Sequence, residues 1–237
     1  MNIYMIGDSI MKQNNYFAYP QTGWGQVLNL FCKEGILVFD YAENGRSTKS
    51  FINEGRFQKV LDKIQKGDYL ICSFGHNDEK EYDKERYTKP YGEYQENLKF
   101  FATEVEKKGA KIVFATSVCR HKFVDGHITN THGEYPQAML DFAKKEGYTC
   151  IDLNTLTMNI YESLGEKVSM KFHMIFDKDT YSNYPDGKED HSHLRYDGAV
   201  MVAHTFVEAI EKTTDPINEC FIDLKEVPEI DYKMLKD

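Results

Sequence analysis

The chain has no Cys-x-x-Cys pair, no long apolar run and no basic excess. Its five cysteines (Cys32, Cys72, Cys119, Cys150, Cys220) are scattered and odd in number. That pattern argues against a disulfide-built secreted domain and for a reducing compartment. No stretch approaches the roughly 18 apolar residues of a membrane span. The opening Asn2-Ile3-Tyr4-Met5-Ile6 is too short for the apolar core of a signal peptide, roughly 7 to 15 residues. A cytoplasmic location without membrane association is therefore expected. A net charge of -9 disfavours a nucleic-acid partner, which calls for a basic face. There is no internal repeat, no phosphate-binding glycine fingerprint and no Gly-x-Ser-x-Gly elbow.

What is present is an alternation of short apolar runs and helix-length segments. The strand candidates are 3–6, 36–41, 69–74, 112–116 and 149–153, each nearly continuous in apolar residues, as strands covered on both faces are. Between them, Phe57, Val60, Leu61 and Ile64 recur at helical spacing, as do Leu98, Phe101, Ala102 and Val105. The segments 138–145 and 200–210 read as helices too. The pattern predicts one α/β domain over 1–237: a three-layer α/β/α, flavodoxin-like fold around a central five-stranded parallel sheet. Residues 213–237 are expected to wrap around it, with a little strand near 220–224. Two polar stretches, 120–133 and 166–189, read as long loops, which in a compact domain are functional or disordered.

Ligands of open α/β sheets bind beyond the carboxyl ends of the strands. Those ends deliver Gly7-Asp8-Ser9, Glu43-Asn44-Gly45-Arg46-Ser47, Gly75-His76-Asn77-Asp78 and Ser117-Val118-Cys119-Arg120. The late cluster Asp190-His191-Ser192-His193 precedes the last helix and reaches the same rim. Acyl transfer needs a nucleophile, a base, an orienting group and oxyanion donors. Ser9 suits the first role, His193 the second and Asp190 the third. The Ser9 N–H at an expected helix start, the Gly45 N–H and the Asn77 amide suit the oxyanion. Each feature alone has a plainer reading as a cap or turn. Their convergence on one sheet edge favours a catalytic triad.

On these four blocks the chain resembles the SGNH (GDSL-type) hydrolases. More narrowly it resembles the rhamnogalacturonan acetylesterase family, through Gly23-Trp24-Gly25, Asn44 to Phe51, Glu54-Gly55-Arg56, Phe74 to Asp78, Tyr94-x-x-Asn97-Leu98, Gly133-x-Tyr135 and Asp190 to His193. The resemblance implies a serine carbohydrate O-acetylesterase acting on acetylated pectic oligosaccharides, with Ser9, His193 and Asp190 as triad and Ser9, Gly45 and Asn77 as oxyanion hole. It implies no cofactor. The four blocks are shared with thioesterases and lysophospholipases, so a non-carbohydrate acyl ester is the alternative substrate.

His191 and His193 beside Asp190 form a His-x-His pair, but no third ligand is identifiable and no metal is expected. His121, His127 and His132 read as solvated loop residues, and His76 as a structural hydrogen-bonding residue. Sugar rings stack on aromatic faces, so Trp24, Tyr87 and Tyr135 are candidates for a saccharide subsite, with core packing as the plainer reading. Arg46 and Arg120 are candidates for a uronate carboxylate, with surface ion pairing beside it. The oligomeric state is not legible in the sequence.

Overall fold

The computed structural model describes residues 1–226. Five parallel strands form the central sheet: β1 (Ile3–Gly7), β2 (Val38–Asp40), β3 (Tyr69–Ser73), β4 (Lys111–Ala115) and β7 (Cys150–Ile151). Their order is β2-β1-β3-β4-β7, the flavodoxin-like order. Outside it lie two antiparallel ribbons, β5 (Phe123–Val124) with β6 (His127–Ile128), and β8 (His173–Phe176) with β9 (Lys188–Leu194).

Side chains alternate across a strand, so a continuously apolar strand feeds two cores. Ile3 and Met5 of β1, with Tyr69 and Ile71 of β3, pack on one face against Trp24, Leu153, Tyr161 and Phe206. These come from α1 (Trp24–Val27), α6 (Leu153–Leu164) and α8 (Tyr196–Glu211). Tyr4, Ile6, Leu70 and Cys72 face the other way, onto α2 (Thr48–Asn53), α3 (Arg56–Leu61), α4 (Gln95–Lys107) and α5 (Tyr135–Glu146). The result is the expected α/β/α stack.

Several local expectations fail. No regular helix starts at Ser9; the chain makes one turn, with the Met11 and Lys12 N–H groups on the Asp8 carbonyl. The loop 120–133 contains the β5–β6 ribbon. The segment 166–189 holds α7 (Glu166–Ser169), β8 and the start of β9, so the Asp190 cluster lies on a strand. No strand forms near 220–224: Phe221 makes a single bridge to Cys32 after a short 3-10 turn over Pro216–Cys220. Lys33 N–H donates to the Cys220 carbonyl and Ile222 N–H to that of Phe31, which ties this stretch to residues 31–33. The remainder of the expected extension, 227–237, lies outside the described residues.

Candidate active site

The sheet reverses its winding between β1 and β3, and the loops after those strands and after β2 meet there. Ser9 lies two residues beyond the end of β1. Its Oγ is 2.8 Å from Nε2 of His193, whose Nδ1 is 2.8 Å from Oδ2 of Asp190. The other oxygen, Oδ1, accepts the backbone N–H groups of Ser192 and His193, both at 3.0 Å. Burial alone would raise the Asp190 carboxyl. The hydrogen bond and charge of His193, with the two N–H donors, outweigh it and hold the group well below the usual carboxylate range.

Asn77 follows β3 and is buried. Its Oδ1 accepts from Lys80 Nζ (2.8 Å) and Arg86 Nη1 (3.3 Å), while its Nδ2 donates to the Arg46 carbonyl (3.1 Å). Two cations on one side fix which way the amide points. Gly45 has φ +72°, and a Cβ there would stand 3.7 Å from the Arg86 guanidinium. Gly75 has φ +150°, and its Cβ would fall 2.1 Å from Ser117 Oγ. Only glycine fits that close approach directly before His76 and Asn77.

The loop after β2 is anchored by Ser47, which caps α2: its hydroxyl accepts from Ser50 N–H (3.2 Å), and Ser50 Oγ accepts from Ser47 N–H (2.9 Å). Asp78 then takes the Thr48 N–H (3.1 Å) and the hydroxyls of Thr48 (2.5 Å) and Thr88 (2.9 Å). Burial pushes the Asp78 carboxyl up to about 7 despite these donors. Asp8, also buried, is pushed up to about 6, against the pull of the Ile10 N–H and of His193 and Arg120.

A polar network beside Ser9, His193 and Asp190 is not apparent from the sequence. Glu79 pairs through one oxygen with Arg120 and through the other with His132 Nδ1 (3.0 Å). His132 Nε2 donates to the Val118 carbonyl (3.0 Å), and Arg120 Nε donates to Ser192 Oγ (3.1 Å). Glu79 follows the Asn77-Asp78 block directly, which was the available signal. His76 stands edge-on to His132, with ring centres 4.4 Å apart. Burial, then His132 and Arg120, push its imidazole well below the ordinary value.

The sequence candidates thus divide. Ser9, His193, Asp190, Gly45 and Asn77 converge. Trp24 does not: it is 1% exposed and packs on Phe206 at 5.3 Å, so it is core. Tyr135 is buried, with its hydroxyl between the carbonyls of Asp78 and Thr88 and its ring edge-on to Tyr94, so it packs in the core rather than offering a platform for a sugar. The Arg46 guanidinium is held at the surface by Glu54 (2.9 Å). Arg120 belongs to the inner network. His121 and His132 are buried, against the expectation of solvated loop residues, whereas His127 is exposed and pairs with Glu162 (2.7 Å).

A serine–imidazole–carboxylate line thus lies at the switch point of a flavodoxin-like sheet. Residues 3–206 match the GDSL-like lipase/acylhydrolase family, and the chain belongs to it. It is a carboxylic ester hydrolase. Among curated proteins, the chain is 40% identical over 220 residues to rhamnogalacturonan acetylesterase RhgT of Bacillus subtilis, covering 92% of this chain and 93% of that one. It is 33% identical to the probable rhamnogalacturonan acetylesterase YesY of the same organism, covering 93% and 97%. Among solved structures, Bacillus subtilis YxiM superposes with a TM-score of 0.76 at 26% identity, covering 89% of this chain and 56% of that one. Among the described residues, no helix is long and apolar enough to cross a membrane, and no group of three or more His, Cys, Asp or Glu is placed to hold a metal ion.

Proposed function

We propose that the chain is a carbohydrate O-acetylesterase acting on acetylated pectic oligosaccharides, with Ser9, His193 and Asp190 as its triad. The observation that carries the chemistry is the unbroken line from Ser9 Oγ through His193 to Asp190, two contacts of 2.8 Å. The names of the RhgT and YesY relatives support the substrate.

Ser9 Oγ attacks the acetyl carbon while His193 Nε2 takes its proton. The oxyanion is met by the Ser9 and Gly45 N–H groups and Asn77 Nδ2, with Lys80 and Arg86 adding positive charge behind the amide. The sugar oxygen leaves with the proton from His193. Water, activated by the same imidazole, then releases acetate and restores Ser9. The five unpaired thiols support a reducing, cytoplasmic setting, where the substrates are imported oligosaccharides; recovery of the native protein from the culture medium would overturn that setting.

Acetate release from acetylated rhamnogalacturonan, xylan and mannan oligosaccharides tests the substrate, and a preference for long-chain acyl esters would overturn it. Ser9→Ala should lower acetate release by roughly 10⁴-fold or more with thermal unfolding unchanged. Retained turnover would remove Ser9 from the mechanism.

A further inference from the structure

Two excursions of the chain fold against each other beside the strand that carries Asp190 and His193. Asn183 Nδ2 donates to the carbonyls of Tyr16 (2.7 Å) and Tyr19 (3.0 Å), and the Tyr184 hydroxyl donates to that of Ala18 (3.3 Å). Their rings interlock as well: Tyr19 meets Tyr181 edge-on at 5.7 Å, and Tyr181 meets Phe176 at 4.7 Å. The 16–22 segment is tied in turn to the end of β9. Thr22 N–H donates to the Leu194 carbonyl (2.9 Å), and Gln21 bridges Arg195. The whole assembly is therefore in register with His193, one residue before Leu194.

Two cavities open on this assembly and share Lys171 and Arg195. One, of about 690 Å³, is bordered by Phe176, Lys178, Lys188 and Glu189; the other, of about 240 Å³, by Tyr19, Tyr181 and Tyr196. The larger lies within the range of small-ligand sites, roughly 300–1,000 Å³. A chain of net charge -9 here sets four basic side chains against three acidic ones, Asp177, Asp186 and Glu189. Arg195 joins the two spaces. Its guanidinium lies 6.0 Å from the Phe176 ring centre and its Nη1 reaches the Tyr181 hydroxyl at 3.4 Å. Its Nε is buried without a hydrogen-bond partner among the described residues. Tyr19 and Tyr196 leave about half their surface open (53% and 51%). Exposed aromatic surface rimmed by charge is what binding grooves display.

We propose that these joined cavities are a subsite for an acidic saccharide, which takes the carboxylate of a hexuronate residue. The carboxylate lies on Arg195 and the rim lysines Lys178 and Lys188, and the pyranose ring lies against Tyr19 and Tyr196. A guanidinium presents paired N–H groups to a carboxylate, and a tyrosine offers an apolar face with a polar tip to a sugar. The inference rests on the saccharide reading of the active site and adds an anionic neighbour to the acetylated unit.

The test uses Ser9→Ala protein, which binds without turnover, titrated calorimetrically with an unacetylated oligogalacturonate and with its methyl ester. The free acid should bind at least ten-fold more tightly, less so at high salt, and adding Lys178→Gln with Lys188→Gln should remove the preference. Equal binding of acid and ester, or a preference untouched by the double substitution, overturns the subsite. In the active enzyme, the kcat/KM on an acetylated acidic oligosaccharide is divided by that on an aryl acetate, which is too small to span the cavities. That ratio should fall ten-fold or more in the lysine variant and hold in Lys107→Gln, on α4 at the other face of the sheet. An unchanged ratio in the lysine variant counts against the proposal. The titration needs no acetyl group, so failure to deacetylate pectic glycans sinks the proposed substrate without touching the binding result.

Discussion

Asp190 uses both oxygens, Oδ1 on the backbone of its own strand and Oδ2 on His193. The first bonds hold the carboxylate still and the second fixes which imidazole nitrogen carries the proton. Asp190→Asn keeps the shape but can present N–H where the imidazole needs an acceptor. It should lower kcat by roughly 10³ to 10⁴-fold on an aryl acetate with little change in KM; a loss below ten-fold would show that the backbone alone orients His193. Because the Asp190 carboxyl is held well below the usual range, it stays ionised across the working pH range, and its protonation does not shape the acid side of the rate profile. These residues were legible because each sits within a few positions of a strand end or a helix start. Trp24 misled for a physical reason: two flanking glycines look like a loop, yet their Cβ positions are filled by the Met11 backbone at 2.4 and 2.7 Å, which draws the indole into the core.

At the scale of elements, the β8–β9 ribbon and the network that grips it were not legible. β9 reads Lys-Glu-Asp-His-Ser-His-Leu, with no apolar alternation to announce a strand. α6 was hidden for a related reason, since it buries Asn154 and Thr157 alongside Leu153 and Tyr161. Glu79, Ser192 and the 120–133 loop that carries Arg120 and His132 are three separate segments, so only the fold makes them neighbours. Arg120 bonds Ser192 in β9 and pairs with Glu79 in the Asn77 loop, which clamps the His193-bearing ribbon to that loop. Removing one partner of a largely buried pair strands the other. Arg120→Gln should cost roughly 2 to 3 kcal/mol in urea denaturation and reduce kcat, and Glu79→Gln should cost much less in that background than alone. Strictly additive losses would mean that the two side chains act independently.

For the whole molecule, the two α/β/α cores follow directly from strands apolar on both faces, which is why the architecture was readable from the five runs alone. The interior also stores titratable groups that pull stability in opposite directions with pH. Burial raises Asp8 to about 6, so between about pH 4 and 6 the folded chain holds a proton that the unfolded chain has released. That contribution is complete below the unfolded value and disappears as pH rises through 6; the shift corresponds to about 3 kcal/mol. Asp78, raised to about 7, behaves alike. His173, pushed down by burial to about 3, opposes them, because its contribution is lost as pH falls below the ordinary imidazole value. Asp8→Asn should therefore gain on the wild type from pH 4 to pH 7, by up to about 3 kcal/mol in urea titrations. A constant difference between the two would refute the burial account.

The same division of labour bears on how activity is lost. Ser9 follows a central strand of the main sheet, while His193 and Asp190 lie together on a peripheral two-stranded ribbon. A partial peeling of that ribbon would separate proton acceptor from hydroxyl while leaving both cores closed and the imidazole still paired with its carboxylate. Inactivation on warming would then run ahead of unfolding and reverse on cooling, a latch slipping before the wall gives way.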